Sequence, residues 1–147
     1  MTRAFVFPGQ GAQTIGMGRA LAETYPEARA VFDEVDEALG EKLSTLIWEG
    51  DIETLTLTQN AQPALMATSM AAMRALAAEG IGLDRVAYVA GHSLGEYSAC
   101  VAAGALEFQD AVRLVHLRGT LMYEAGQSRP GTMAALMGVD RETAERI

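Results

Sequence analysis

The sequence predicts an α/β fold in which helices flank a parallel sheet. Two short apolar segments, Ala4–Phe7 and Val86–Ala90, have the composition of buried strands. Segments of helical character lie between and after them, and strands that alternate with helices are typical of a parallel sheet. The chain of 147 residues is long enough for one domain with a sizeable core, and it contains no internal repeat or low-complexity linker.

The first half of the chain is predicted to hold one strand followed by helices. The strand Ala4–Phe7 enters a glycine-rich loop at 8–13. Helical segments are predicted at 16–24, 26–39, 41–47 and 60–79. Asn60 is a candidate N-cap of the longest of these helices, and Gly80 is a candidate stop.

The second half of the chain continues the alternation. The strand Val86–Ala90 precedes an alanine-rich helical run at 96–103, and a further helix is predicted at 108–125. A boundary is expected at 127–131. Beyond it the pattern predicts, in order, a strand at 132–137 and a helix capped by Asp140.

A Gly-His-Ser-Leu-Gly motif at 91–95 joins the second strand to its helix. A strand, a G-x-S-x-G sequence and a helix in succession are typical of the nucleophile elbow of α/β-hydrolases, in which the serine stands on a sharp turn at the carboxyl end of the sheet. The free N–H groups at the start of such a helix face the point where an oxyanion would form. The pattern therefore predicts acyl transfer through Ser93, with a structural glycine-rich turn as the alternative.

A single charge interrupts the apolar face predicted for helix 108–125. The apolar members of this face are Ala111, Leu114, Val115, Leu121, Met122 and Ala125. Arg118 lies in the middle of them when each residue turns the helix by about 100°. A buried charge without a partner is costly. Arg118 therefore pairs with an internal carboxylate, extends to the surface, or binds the carboxylate of a ligand with its planar guanidinium.

The composition excludes several classes of protein. The net charge of −8 disfavours nucleic acid as a partner, because phosphates need a basic face. One cysteine, Cys100, cannot form an internal disulfide, and with two distant histidines it cannot build a zinc site. No apolar run approaches the length of a membrane span, and the first residues lack the apolar core of a signal peptide. We therefore expect a cytoplasmic protein with no metal site and no membrane partner.

Four ordered motifs identify a family. They are Phe7–Gln13, Gln59–Ala64, Gly91–Tyr97 and Arg118–Gly119. In this order and at these separations they resemble the first half of the malonyl-CoA:acyl carrier protein transacylases, and of the similar acyltransferase domains of polyketide and fatty acid synthases. The resemblance covers essentially the whole chain.

The resemblance implies a role for each motif. Ser93 would be the nucleophile that takes the malonyl group from coenzyme A as an acyl ester. The backbone N–H groups of Leu94 and Gln10 would form the oxyanion hole, and Arg118 would bind the free carboxylate of the malonyl group. Gln62 would line the pocket, with a purely structural place at the helix start, beside a proline, as the alternative.

The resemblance also implies the substrates. In the synthase domains that this chain resembles, an aliphatic residue after the serine accompanies malonyl specificity, so Leu94 favours malonyl-CoA. The acyl group would pass to the phosphopantetheine thiol of an acyl carrier protein, in a ping-pong reaction of fatty acid biosynthesis with no bound cofactor.

His92 is placed with the substrate-binding residues because it adjoins the nucleophile. Adjacent side chains at a strand end point apart, however, and this favours a structural role for His92.

The chain departs from this family because it offers no base for the serine. Its two histidines are His92 and His116, and His116 falls about 140° from the centre of the apolar face, which predicts an exposed side chain. The resemblance places the base in a second half that this sequence lacks. Residues 1–127 would be part of the large α/β subdomain, and residues 128–147 the truncated start of a small ferredoxin-like subdomain.

We therefore expect half of an enzyme, inactive by itself, with exposed apolar faces on its sheet and helices. The remainder would come from the missing C-terminal half or from a second polypeptide. The position of Met1, shortly before the first strand, favours a freestanding enzyme over a synthase domain. Three other functions stay open at this stage: a serine esterase, a non-catalytic module that binds acyl carrier protein, and an acyltransferase for another acyl group in polyketide synthesis.

Overall fold

The computed structural model describes residues 2–129, 131 and 136–146. Its elements follow the order β1 (Ala4–Phe7), α1 (Arg19–Thr24), α2 (Pro26–Leu39), α3 (Leu43–Glu49), α4 (Ile52–Thr56), α5 (Thr58–Ala78), a 3₁₀ turn (Leu83–Arg85), β2 (Tyr88–Gly91), α6 (Leu94–Ala102), α7 (Phe108–Ser128) and α8 (Arg141–Arg146). Over the described ranges the chain is mostly helical, with a small sheet.

The two strands pair in parallel, which confirms the predicted α/β arrangement. Their register places Phe5 opposite Val89 and Phe7 opposite Gly91. Because successive side chains of a strand point to opposite faces, Phe5 and Val89 pack against the core, whereas Val6 is 74% exposed on the other face. Both strands end at the same edge of the sheet, directly before the two loops that carry the first and third motifs.

Helix α5 forms the centre of the core and contacts α2, α6 and α7. Its sequence is rich in alanine, and small side chains allow neighbouring helices to approach closely. The side chains that are completely buried around it include Phe32, Ile47, Leu55, Met66 and Val112. This packing fixes the position of α7 relative to the carboxyl ends of the strands.

The start of α5 differs from the predicted one. The helix begins at Thr58, and the backbone N–H groups of Asn60 and Ala61 donate to the carbonyl of Leu57 at 2.9 and 2.8 Å. The side chain of Asn60 does not cap α5 but donates to the carbonyl of Thr54 at 2.9 Å. The predicted cap is wrong because α4, a short helix that the sequence did not reveal, ends only one residue before α5.

The buried face of α7 also differs from the predicted one. The residues that α7 buries are Ala111, Val112, Val115 and Gly119. Most of the predicted apolar face lies in solvent instead, with Leu121 55% exposed, and Arg118 is half-buried at the border between the two faces. The prediction placed the buried face wrongly because it ranked positions by hydrophobicity. In the structure Gly119, which has no side chain, faces α5.

Two apolar surfaces are uncovered in the described structure. One is the outer face of the sheet, where Val6 and Tyr88 are 74% and 68% exposed. The other is the side of α7 that carries Leu117 and Leu121, at 54% and 55% exposed. Exposed apolar surface of this kind is typical of sites that contact another protein, a membrane or a ligand. The expectation of exposed sheet and helix faces agrees with this distribution.

The last described helix is capped as predicted. Asp140 accepts the N–H of Thr143 at 2.8 Å, and this hydrogen bond holds the pKa of the Asp140 carboxyl below its ordinary value. The strand predicted at 132–137 falls mainly on positions outside the described ranges. The ferredoxin-like subdomain that would begin there stays a prediction.

The described ranges show neither a membrane-spanning helix nor a metal centre. No helix in them is both long enough and apolar enough to cross a bilayer. In the same ranges, no three His, Cys, Asp or Glu side chains lie together as ligands of a metal ion would.

Candidate active site

Ser93 lies at the turn between β2 and α6 in a backbone conformation that is rare for a residue with a side chain. Its φ and ψ angles are 54° and −114°. Among the described residues other than glycine, it alone has a positive φ. Strained conformations of this kind persist only where the surroundings impose them, and they concentrate at functional sites. The turn leaves Ser93 exposed at the carboxyl ends of both strands.

Close backbone contacts require the glycines on both sides of Ser93. A Cβ on Gly91 would lie 1.9 Å from the carbonyl carbon and oxygen of Gly95. A Cβ on Gly95 would lie 2.3 Å from the carbonyl oxygen of Phe7. A carbon atom cannot be accommodated at either distance, so both positions must be glycine for α6 to start directly against the sheet. This is the strand–turn–helix arrangement that the G-x-S-x-G motif predicts.

The turn at Ser93 and the loop after β1 contain backbone N–H groups that form no hydrogen bond in the described part of the chain. The N–H of Gly95 donates to the carbonyl of His92 at 2.9 Å, but the N–H groups of Leu94 and Gln10 take part in no such hydrogen bond. The side chain of Leu94 is 1% exposed and packs in the core, so the residue presents only its backbone to the site. Unpaired N–H groups at the start of a helix can bind a negatively charged oxygen.

Arg118 reaches from α7 to the serine. Its Nη2 donates to Oγ of Ser93 at 3.2 Å, and its Nη1 donates to Oε1 of Gln62 at 2.6 Å. Its Cζ lies 5.6 Å from the centre of the Tyr97 ring, a distance at which a cation is attracted to an aromatic face. No described carboxylate forms an ion pair with it. Within these ranges, the internal carboxylate partner that the sequence left open is therefore not found.

Gly119 explains how α7 brings the guanidinium so near the site. A Cβ at this position would lie 2.5 Å from the carbonyl oxygen of Thr58 and 2.6 Å from Cα of Gln59. Only glycine permits this contact between α7 and the first turn of α5. The neighbouring side chain of Arg118 is thereby held beside Gln62, one turn further along α5.

A row of side-chain hydrogen bonds leads from Arg118 to the loop after β1. Gln62 is 1% exposed; it accepts from Arg118 and donates through Nε2 to Oγ1 of Thr58 at 2.9 Å. The Thr58 hydroxyl donates to Oε1 of Gln10 at 2.7 Å, and Nε2 of Gln10 donates to the carbonyl of Thr56 at 3.3 Å. The network joins three predicted site residues that lie far apart in the sequence.

Sequence reasoning missed two residues of this arrangement. Thr58 precedes Gln62 by four residues, a spacing that places both on one side of a helix, but the predicted helix start at Asn60 excluded it. Tyr97 was visible as the last residue of the third motif, four residues after Ser93. Its ring lies beside the guanidinium of Arg118.

The structure places His92 against the loop after β1. A Cβ on Gly9 would lie 2.8 Å from both Nδ1 and the carbonyl oxygen of His92. The His92 N–H donates to the carbonyl of Phe7 at 3.2 Å. In the described structure its ring forms no hydrogen bond with Ser93 or Arg118. These contacts favour a structural role, and substrate binding by His92 stays a prediction.

The prediction that His116 is exposed is wrong. The side chain is half-buried, and its Nδ1 is closed to solvent without a hydrogen-bond partner among the described residues. The reason is that α7 buries a different face from the predicted one, and His116 lies closer to the buried face than to the predicted face. Within the same ranges neither histidine hydrogen-bonds Ser93, so the described residues bring no base to the serine.

Comparison with known proteins points to one family. Residues 4–147 match the family described as "Acyl transferase domain". A malonyl CoA-acyl carrier protein transacylase of Bacillus subtilis (strain 168) is 56% identical over 144 residues, which are 98% of this chain and 44% of that protein.

Solved structures give the same result. An acyl-carrier-protein S-malonyltransferase from Bartonella henselae superposes with a TM-score of 0.89 and 49% identity, over 99% of this chain and 47% of that one. A malonyl-transacylase solved in complex with a type II polyketide acyl carrier protein superposes with a TM-score of 0.86 and 42% identity, over 99% of this chain and 47% of that one. The chain thus spans less than half the length of the relatives that it matches.

Proposed function

Because this chain belongs to the acyl transferase family, we propose that it supplies the nucleophile and the acyl-binding residues of a malonyl-CoA:acyl carrier protein transacylase. The reaction takes malonyl-CoA as donor and the phosphopantetheine thiol of an acyl carrier protein as acceptor. It uses no bound cofactor and serves fatty acid synthesis in the cytoplasm.

The transfer proceeds through an ester of Ser93. In the first half-reaction Oγ of Ser93 attacks the thioester carbonyl of malonyl-CoA while a base takes the hydroxyl proton. The N–H groups of Leu94 and Gln10 stabilise the negatively charged oxygen, and one such donor contributes about 3–4 kcal/mol. The carbon–sulfur bond then breaks, and coenzyme A leaves as the thiol with the proton from the base. In the second half-reaction the carrier's thiol attacks the ester by the same steps and releases Ser93.

The observation that carries this proposal is the distance of 3.2 Å between Nη2 of Arg118 and Oγ of Ser93. A single methylene separates the carboxylate of a malonyl group from the carbonyl that the serine attacks. The group that binds this carboxylate must therefore lie close to the nucleophile. A guanidinium can hold a carboxylate through two parallel hydrogen bonds, and Gln62 and Tyr97 keep it in place.

We assign the base to a histidine outside this chain. His92 and His116 are the histidines of the sequence, and neither hydrogen-bonds Ser93 in the described structure. The relatives are more than twice as long as the matched region, so their folds contain further elements. Residues 1–127 belong to a large, α/β-hydrolase-like subdomain in this proposal, and residues 128–147 begin a small ferredoxin-like one.

The 147-residue chain by itself is expected not to turn over, because among the described residues the side-chain partner of the Ser93 hydroxyl is Arg118, which cannot accept a proton. The complete protein, with its base, should transfer malonyl groups at a rate on the order of 1–1000 per second. The measurement is the transfer of labelled malonyl from malonyl-CoA to an acyl carrier protein that bears phosphopantetheine. Sustained transfer at such a rate by the chain alone would contradict the assignment of the base.

Other functions predict different results in the same preparation. A serine esterase would hydrolyse neutral esters at a rate that Arg118→Ala does not change. A non-catalytic carrier-binding module would bind the carrier protein equally well after Ser93→Ala and would never hold an acyl group. An acyltransferase of polyketide synthesis for another acyl group would be acylated faster by methylmalonyl-CoA or acetyl-CoA than by malonyl-CoA.

A further inference from the structure

Thr58 occupies the middle of the hydrogen-bond network between Arg118 and Gln10. We propose that Thr58 is a positioning residue, which couples the binding of the acyl carboxylate at Arg118 to the placement of the oxyanion-binding loop at Gln10. The proposal rests on the proposed function, since it assigns those two roles to Arg118 and Gln10.

The direction of every hydrogen bond in the network follows from Arg118. A guanidinium can only donate, so Oε1 of Gln62 must accept, and Nε2 of Gln62 is left to donate to Thr58. The hydroxyl of Thr58 therefore uses a lone pair for Gln62 and its single proton for Oε1 of Gln10. Nε2 of Gln10 is left to donate to the carbonyl of Thr56. One orientation of each amide group satisfies the whole row.

Burial makes the bond from Gln62 to Thr58 hard to replace. Gln62 is 1% exposed, so water cannot easily take the place of a lost partner. Apart from Thr58, the contact of its Nε2 in the described structure is Sδ of Met122 at 3.5 Å, and a thioether is a weak acceptor. Loss of the Thr58 hydroxyl therefore leaves the buried amide group of Gln62 with poor partners, and it leaves the side chain of Gln10 with its hydrogen bond to the carbonyl of Thr56.

The coupling has a consequence for substrate choice. A carboxylate that fixes the guanidinium of Arg118 also fixes Gln62, and through Thr58 it fixes the side chain of Gln10. The backbone N–H of Gln10 is the oxyanion donor of the proposed function. The hydrogen bonds of the row are already present without a ligand, but an acyl group that lacks a carboxylate adds no restraint to them. The preference for malonyl over acetyl should therefore appear in the acylation rate constant at saturating substrate as well as in affinity.

The test compares the acylation of Ser93 by malonyl-CoA and by acetyl-CoA in the first turnover of the complete protein. Thr58→Val removes the hydroxyl and keeps the shape of the side chain. It should lower the rate constant for saturating malonyl-CoA about tenfold, the effect of losing one to two hydrogen bonds, and change that for acetyl-CoA much less. Thr58→Ser, which keeps the hydroxyl, should stay within about twofold of the wild type.

Two further variants separate coupling from a general structural effect. Thr68→Val makes the same chemical change in α5 at a hydroxyl that donates to the carbonyl of Ala64, and it should leave both rate constants unchanged. In an Arg118→Ala background, Thr58→Val should lower the malonyl rate constant little further, because the network no longer contains the residue that binds the carboxylate.

The outcomes distinguish this inference from the function on which it rests. If the wild type forms no adduct that depends on Ser93, the proposed function fails and this inference fails with it. If the wild type is acylated and Thr58→Val leaves the malonyl rate constant unchanged, only the inference is overturned. It is also overturned if Thr58→Val lowers the rate by the same factor with and without Arg118, or lowers it equally for both acyl groups.

Discussion

Gly91→Ala is expected to lower the free energy of unfolding by more than about 3 kcal/mol, at the upper end of the range for overpacked sites. The added Cβ would lie 1.9 Å from the carbonyl carbon and oxygen of Gly95, which are backbone atoms and cannot move aside as a flexible side chain could. Relief therefore requires β2 and α6 to separate, which also removes Leu94 from the core. Urea denaturation followed by circular dichroism measures the loss.

Gly126→Ala is the matched control for this substitution. Gly126 lies within α7, and a Cβ there would meet no atom within 4 Å. Alanine is the better helix former, so this variant should be as stable as the wild type or more stable by up to about 1 kcal/mol. If the free energy of unfolding of Gly91→Ala lies within about 1 kcal/mol of the wild-type value, as it does for many surface substitutions, the backbone contacts described for the elbow are wrong.

Arg118→Ala is expected to slow the acylation of Ser93 by malonyl-CoA about a hundredfold and to change acylation by acetyl-CoA much less. Hydrogen bonds to a charged group contribute roughly 1.5–3 kcal/mol each, and about 1.4 kcal/mol is a factor of ten in rate. In the proposed function the variant loses the group that binds the malonyl carboxylate, whereas an acetyl group has no carboxylate to bind. Rapid-quench mass spectrometry of the complete protein gives both rate constants.

Arg113→Ala provides the control for the loss of a positive charge from the same helix. Arg113 is exposed and donates to Asp110, Gln109 and the carbonyl of Ala38, at a distance from the elbow. It should leave the preference for malonyl unchanged. If Arg118→Ala lowered the acylation rate constants for malonyl-CoA and acetyl-CoA equally, Arg118 would support the structure of the site and would not bind the malonyl carboxylate.

The elbow could be predicted from the sequence because it depends on local geometry. Two glycines around a serine, with a β-branched segment before them and an alanine-rich one after them, leave few backbone arrangements, and the structure shows the predicted one. Arg118 was detectable for a related reason: a charge among apolar side chains needs a partner. Neither inference required knowledge of which distant segments meet.

The parts that sequence reasoning missed depend on packing between distant segments. The Thr58 hydroxyl accepts from Gln62 on its own helix and donates to Gln10, which is 48 residues away in the chain. The buried face of α7 is set by Gly119 against the start of α5, a contact that hydrophobicity alone does not indicate. The burial of His116 follows from that same contact. In each case a small or polar residue decides the packing, and periodicity assigns such residues little weight.

The exposed apolar surfaces are consistent with the limited coverage of the relatives. The outer face of the sheet, at Val6 and Tyr88, and the side of α7 at Leu117 and Leu121 are uncovered in the described structure. Ser93 and the guanidinium of Arg118 lie together at the carboxyl ends of the two strands.

The most direct test of the account is the intact mass of the protein under denaturing conditions after incubation with malonyl-CoA. We expect the complete protein to gain the mass of one malonyl group, and Ser93→Ala to gain none. The preparation should also show whether a second polypeptide accompanies the chain. A malonyl adduct that survives Ser93→Ala, or a wild-type protein that stays unmodified although its base is present, would contradict acyl transfer through Ser93.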